Sequence, residues 1–282
     1  MASAKTGLAI GLTTLSLGMA LMLPAVAQAH RSWLKPSTVQ VEGKAQWVTI
    51  DAATSEGIFD FDSFPLKLDG LTVTGPDGQP VAFDAPVTGH LRSTFDLQLN
   101  TPGTYRVTVA NAAVMGSYVQ GGETKRFRGT EADLAKTVPA DATDVKLSRM
   151  YNRFDTFVTS GKGNDTALQP TGKGLELVAV THPSDLIVDA PATFKFLLDG
   201  KPLPNLSITV IPGGARFRNA LKEATVTTDA NGIATVNWTQ AGDFLLTANY
   251  PPRPQKTEGE APANDMPAQR YTYSATFEVL PN

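Results

Sequence analysis

Apolar and polar residues alternate with a period of two through most of the chain, the spacing that turns successive side chains to opposite faces of a strand. Gln46–Asp51 (QWVTID), Leu66–Val73, Thr94–Leu99 (TFDLQL) and Tyr105–Val109 (YRVTV) read this way, divided by the turn residues Gly75-Pro76-Asp77-Gly78 and Thr101-Pro102-Gly103. The pattern resumes at Leu175–Val180, Ala192–Leu198, Leu206–Ile211, Ala224–Thr228, Ile233–Trp238 and Phe244–Tyr250, with Asp199-Gly200 and Asp229-Ala230-Asn231-Gly232 as turns. A polar, proline-rich loop from Pro251 to Ala268 precedes a last strand, Tyr271–Leu280. Short strands at this spacing predict an all-β protein of two immunoglobulin-like β-sandwich domains.

The middle of the chain breaks the rhythm. Ala112–Gly174 contains Gly121-Gly122, the basic run Lys125-Arg126-Phe127-Arg128 and one short helical stretch, Thr130–Thr137, in which Thr130 would cap and Asp133 would close a capping box. Val145–Thr159 reads as one or two strands, and Gly-rich sequence follows it. The expected organisation is an N-terminal sandwich with an extension (30–160), a connector (161–173) and a C-terminal sandwich (174–282).

Residues 1–29 read as a secretory signal peptide. A single charge, Lys5, precedes an apolar run from Leu8 to about Met22; Pro24 and the small-x-small site Ala27-Gln28-Ala29 follow. The run contains Thr13, Thr14 and Ser16 and falls short of the roughly 20 residues that span hydrocarbon. Export with cleavage after Ala29, a periplasmic location and no stable membrane insertion after cleavage are expected. The absence of cysteine removes disulfides, thiolate metal sites and cysteine catalysis, and the formal charge of −3 gives no reason to expect a nucleic-acid partner.

Cleavage after Ala29 would make His30 the first residue, joining an α-amine and an imidazole in one chelate. A second imidazole would complete a histidine brace, which suits Cu(II), and Ni(II) and Co(II) also favour nitrogen ligands. The other histidines are His182, in Thr181-His182-Pro183, and His90, after Thr88-Gly89. His182 is the expected second ligand if the two domains meet there, and otherwise a turn histidine bonded to backbone. His90 reads first as an exposed loop residue. Asp51, Asp60 and Asp62 are possible oxygen ligands but lack calcium-loop spacing. Trp33, Phe59, Phe61 and Phe64 would line a cleft or fill a core, with Trp33 anchoring the new terminus. No nucleophile elbow, HExxH helix, phosphate loop or dinucleotide fingerprint is present, so a non-enzymatic role is expected.

HRSWLKP at 30–36, VTIDA at 48–52, PDG at 76–78, GTYRV at 103–107, GLELVAVTHP at 174–183, LLDGKPLPN at 197–205, TDANG at 228–232 and the closing ATFEVLP together resemble the DUF4198 family. HxxWLxP and GLELVxxxxP are the most particular of these; His90 falls in none of them. The family comprises exported bacterial proteins described as periplasmic components of nickel or cobalt uptake. The resemblance implies a periplasmic protein that binds a divalent transition metal, Ni or Co first and Cu as a further possibility, with a membrane metal-uptake transporter as partner. Two other readings stay open: a histidine-brace copper oxidase, and a non-catalytic envelope scaffold.

Overall fold

The computed structural model describes residues 30–218, 220–252 and 267–282. The signal peptide expected at 1–29 lies outside the described residues, as does most of the proline-rich loop before the last strand. The elements are β1 (Arg31–Pro36), β2 (Gln40–Val41), β3 (Gln46–Ser55), β4 (Phe64–Pro65), β5 (Leu71–Thr74), β6 (Asp84–Thr88), β7 (Ser93–Leu99), β8 (Gly103–Gln120), β9 (Glu123–Gly129), α1 (Glu131–Thr137) and β10 (Thr143–Ser160). They continue as β11 (Leu175–Ala179), β12 (Pro191–Leu198), β13 (Lys201–Pro202), β14 (Ser207–Pro212), β15 (Ala224–Thr227), β16 (Ile233–Asn237), β17 (Gly242–Tyr250) and β18 (Gln269–Val279). The protein is all-β and layered as a β-sandwich, as the alternation predicts.

The layers are shared between the two halves of the chain. β10 pairs antiparallel with β8 and in parallel with β18, the final strand, so one sheet in the order β15-β14-β17-β18-β10-β8-β5 runs through both halves. Alternation along β10 assigns its two faces. Phe154 and Val158 enter a core with Leu34, Ile50, Phe95, Leu97 and Val107, whereas Phe157 enters a second core with Leu177, Phe194, Phe196, Leu246 and Phe277. The sheet β1-β3-β7-β6 therefore covers one face of the shared sheet, and β11-β12-β13 with β16 covers the other. A third cluster, Trp33, Ala53 and Ile58 with Ile211 and Leu245, joins β1 and β3 to the opposite face of β14 and β17.

Buried charge also ties the halves together. Arg153 Nε lies 3.0 Å from Asp155 Oδ2, and its other end lies 3.1 Å from Glu176 Oε1 on β11. Asp155 also accepts from Thr108 Oγ1 at 2.6 Å and from the Tyr273 hydroxyl at 2.9 Å. Burial pushes the Tyr273 phenol well above its ordinary range, and the Asp155 charge adds to that. Burial works against the Arg153 charge, but Asp155, Tyr273 and Glu176 hold the guanidinium protonated. Glu176 is completed by the backbone N–H groups of Thr171, Gly172 and Lys173 and by the Thr171 hydroxyl. Each charge in this cluster has partners, the condition for tolerating it in an interior. The segment 161–173 is thereby fastened to the sheets at both ends, since Asn164 accepts from Thr104 N and donates to Pro76 O.

The irregular middle of the sequence is an arm. β8 and β10 each run for 18 residues, beyond the first core, and β9 adds to the outer half of β8. Val114, Tyr118 and Phe127 bury one another there, with Leu134, Val138 and Leu147 against them. The basic run lies on β9: Phe127 turns inward while Lys125, Arg126 and Arg128 stay exposed, which discourages sheet-to-sheet association. The short helix occurs where Thr130 and Asp133 predict it, with both bonds of the capping box formed.

Candidate functional site

Residue 30 enters the fold at one end of β1, and the register of that strand fixes what surrounds it. Arg31 pairs with Ser55 and Pro36 with Ile50, so His30 stands beyond the end of β3, beside the turn that begins at Glu56. The strand is held firmly. Trp33 is fully buried and donates from Nε1 to Ser55 Oγ at 2.8 Å, and Ser55 donates in turn to Gly57 O at 2.6 Å. Ser32 and Thr54 share a hydroxyl contact of 2.7 Å. Two ion pairs then reach the second half of the chain: Arg31 to Glu223 at 2.5 Å and Lys35 to Asp243 at 2.6 Å.

The His30 ring is half-exposed and stacks on Phe64, centroids 5.3 Å apart. Its Nε2 faces Glu56 Oε1 at 3.7 Å. That leaves Nδ1, the ring nitrogen that closes a chelate with the residue's own main-chain nitrogen, on the side away from the carboxylate. Phe59 and Phe61 contact the Trp33 ring at 5.3 and 5.6 Å, and Arg92 lies over Phe61 at 4.4 Å.

The nearby carboxylates are already committed. Asp62 accepts from Gly57 N at 2.9 Å, Glu56 N at 3.1 Å and Ser63 Oγ at 2.7 Å, so it shapes the loop. Burial opposes its ionisation, but the bonds from Gly57, Ser63 and Glu56 outweigh that and hold it below the usual carboxylate range. Asp51 pairs with Arg92 Nε at 3.4 Å; burial raises its pKa, and Arg92 and Lys35 only partly offset the rise. Asp60 faces Arg216 at 3.6 Å. Among the described residues, no group of three or more His, Asp or Glu side chains is arranged to hold a metal ion.

The three histidines are not brought together. His182 lies against one end of the shared sheet: Nε2 contacts Thr104 Oγ1 at 3.0 Å, and Thr104 meets Thr159, whose N–H reaches Val39 O. The length of β1, roughly 20 Å of extended chain, separates that point from His30. Both ring nitrogens of His182 are engaged, for Nδ1 accepts from Ser184 N at 3.2 Å and contacts Ser184 Oγ at 2.7 Å. The ring fills its place closely, and a Cβ on Gly163 would fall 2.6 Å from His182 Cε1. His90 sits exposed in the β6–β7 turn closed by Gly89 N to Arg92 O. That turn is at the His30 end, but β1 and β7 flank β3 on opposite sides, about 10 Å apart.

The residues that sequence reasoning did not single out are Glu56 and Arg92. Neither belongs to a motif, and only the β1–β3 register and the β6–β7 turn bring them to His30 and Phe61. The available signal was indirect: Ser55-Glu56-Gly57 ends a strand whose antiparallel partner begins at residue 31.

Fold and site together define a sandwich-type protein with its N-terminal strand locked between two halves and one histidine presented at the edge. The chain belongs to the DUF4198 family, whose model, described as a domain of unknown function, matches residues 27–251. No curated protein matches the chain. Among solved structures it is similar to the D0–D1 domain of intimin, with 14% identity over 88% of this chain and 97% of that one and a TM-score of 0.23. It is also similar to the ligand-binding domain of human OSCAR, with 15% identity over 80% and 93% and a TM-score of 0.19. A DUF4785 family protein from Legionella pneumophila shows 8% identity over 77% of this chain and 50% of that one, with a TM-score of 0.24. Identity and overlap this low carry nothing about function.

Proposed function

We propose that this is an exported, periplasmic metal-binding protein that presents a divalent transition metal as exchangeable cargo from the α-amine and Nδ1 of His30. The observation that carries the reading is the posture of that residue: the ring rests on Phe64 with Nε2 toward Glu56. A carboxylate on the outer nitrogen fixes the tautomer of a metal-bound imidazole and raises its basicity. The buried Trp33 three residues on keeps the terminus from fraying. Two nitrogens from one residue leave the remaining coordination positions to water or to another protein. Such open coordination suits transfer to a membrane uptake transporter better than permanent retention. Nickel or cobalt is the proposed cargo by family resemblance, and copper fits the same donors. His182 is left out of the proposed site because both its nitrogens have partners, and a two-nitrogen site gives the copper-oxidase reading less support than the cargo reading. His90, exposed at the same end, is the one imidazole left to add a donor by rearrangement of its turn.

The test is calorimetric titration of the chain that begins at His30 with Ni(II), Co(II) and Cu(II). One stoichiometric site is expected, lost in His30→Ala and weakened when an extra residue precedes His30, since the amine then becomes an amide. No heat of binding at micromolar protein overturns the proposal.

A further inference from the structure

Large apolar side chains are exposed unevenly over this protein. Of the nine such residues among the described ones, five lie at or near the end where the chain enters at His30: Phe61 and Phe64, Val87 and Leu91 of the β6–β7 hairpin, and Phe217. Phe217 is 84% exposed, an extreme value for an aromatic residue in a folded chain. Named contacts link the segments that carry them. Phe64 stacks on His30, Phe61 touches Trp33 and lies under Arg92, and Arg216, beside Phe217, pairs with Asp60. Three separate segments therefore project aromatic or aliphatic tips around the point where residues 1–29 join the fold. Apolar exposure concentrated in this way marks a contact surface.

The export reading of residues 1–29 bears on what that surface meets. The apolar run from Leu8 to Met22 belongs in a bilayer during export, and residues 23–29 reach at most about 25 Å. The His30 end is thus the end held against the membrane as the chain emerges. We infer that the rim of Phe61, Phe64, Leu91 and Phe217 docks on the surface of a phospholipid bilayer, keeping the His30 terminus at the membrane after cleavage. The inference rests on the export reading and is independent of metal. Among the described residues no helix is long and apolar enough to cross a membrane, so contact is by loop tips. Aromatic rings of this kind sit at the headgroup level. The arginines at this end are paired, Arg92 with Asp51, Arg216 with Asp60 and Arg31 with Glu223, while among the described residues Asp62 and Glu56 have no Lys or Arg partner, so no basic patch faces outward. Attraction therefore comes from apolar area, and zwitterionic lipid suffices without anionic headgroups.

Flotation of the metal-free chain beginning at His30 with phosphatidylcholine vesicles tests this. The protein is expected to float with the vesicles, equally well in low and high salt. The Phe61→Ser/Phe64→Ser/Phe217→Ser variant should partition at least about tenfold more weakly. Because Phe64 and Phe61 also touch His30 and Trp33, Leu91→Ser/Phe217→Ser, confined to loop tips, supplies a second loss with an unchanged thermal midpoint. Trp47→Ser, which removes an exposed aromatic from the far end of β3, should float like the parent. A chain that stays with the soluble fraction overturns the inference, as do rim variants that float undiminished or binding that high salt abolishes. His30→Ala is expected to float normally, so failure of the metal site and failure of the rim are read separately.

Discussion

Two ends of the sandwich each carry a histidine, His30 just before β1 and His182 against the start of β8, and their environments make opposite uses of the same side chain. At one end His182 is clasped by Thr104, Asn164 and Ser184, with Gly163 left bare to admit the ring. At the other, His30 is half-exposed, steadied by a stacked Phe64 and facing a carboxylate. An imidazole whose nitrogens both have hydrogen-bond partners contributes to stability and is withdrawn from ligand chemistry. One supported only through a ring face and its outer nitrogen is oriented yet still able to bind. The difference lies in what the neighbours already satisfy.

The comparison breaks most severely at Trp33. Trp33→Ala should lower stability by about 3–5 kcal/mol, because it empties a fully buried site and strips Ser55 of its donor, and it should weaken metal binding at His30 by freeing the strand. Urea denaturation followed by titration measures both. Next in size is His182→Ala, which leaves the Thr104 hydroxyl and Ser184 N–H short of partners. A loss of about 2–3 kcal/mol is expected, with metal titration unchanged. A fall in metal affinity there would erase the distinction between the two ends.

Glu56→Gln probes the open end more gently. It keeps the shape but removes the charge facing Nε2, and metal affinity should fall by no more than about tenfold while the unfolding midpoint stays put. The smallest effect is expected at Asp62. Its pKa is lowered in the folded protein, so the stability it contributes is fully present above its unfolded value near pH 4 and is lost as pH falls through the lowered folded value. Unfolding curves of Asp62→Asn should therefore run below the parent at neutral pH and converge with it in acid. Parallel curves across that range would mean the loop bonds do not depend on the charge.

Much of the architecture was legible in the residues. Every run of alternation from Gln46–Asp51 to Tyr271–Leu280 overlaps a strand, Leu66–Val73 only from Leu71 onward, and Thr130 with Asp133 marked the helix, because period and cap chemistry are local properties. The arm was hidden. The basic run reads as a solvated strand edge and lies on β9, but nothing local to it or to the Gly121-Gly122 turn shows that β8 and β10 each continue for 18 residues to pair there. The parallel pairing of β10 with β18 was equally out of reach, since nothing in either strand encodes a partner more than a hundred residues away.

The same division applies to the candidate site. Sequence by itself determined the donor inventory: no thiolate, three imidazoles, and one histidine directly after Ala27-Gln28-Ala29. It offered Trp33 either as part of a cleft or as an anchor for that residue, and its burial on β1 makes it the anchor. Only the tertiary structure decided which histidines are engaged, because the groups that meet them, the Thr104 hydroxyl bonded to His182 and the Glu56 carboxylate facing His30, are brought there by other segments of the chain. Whether an imidazole is spent or available depends on that assembly, and alternation along a chain carries no record of it.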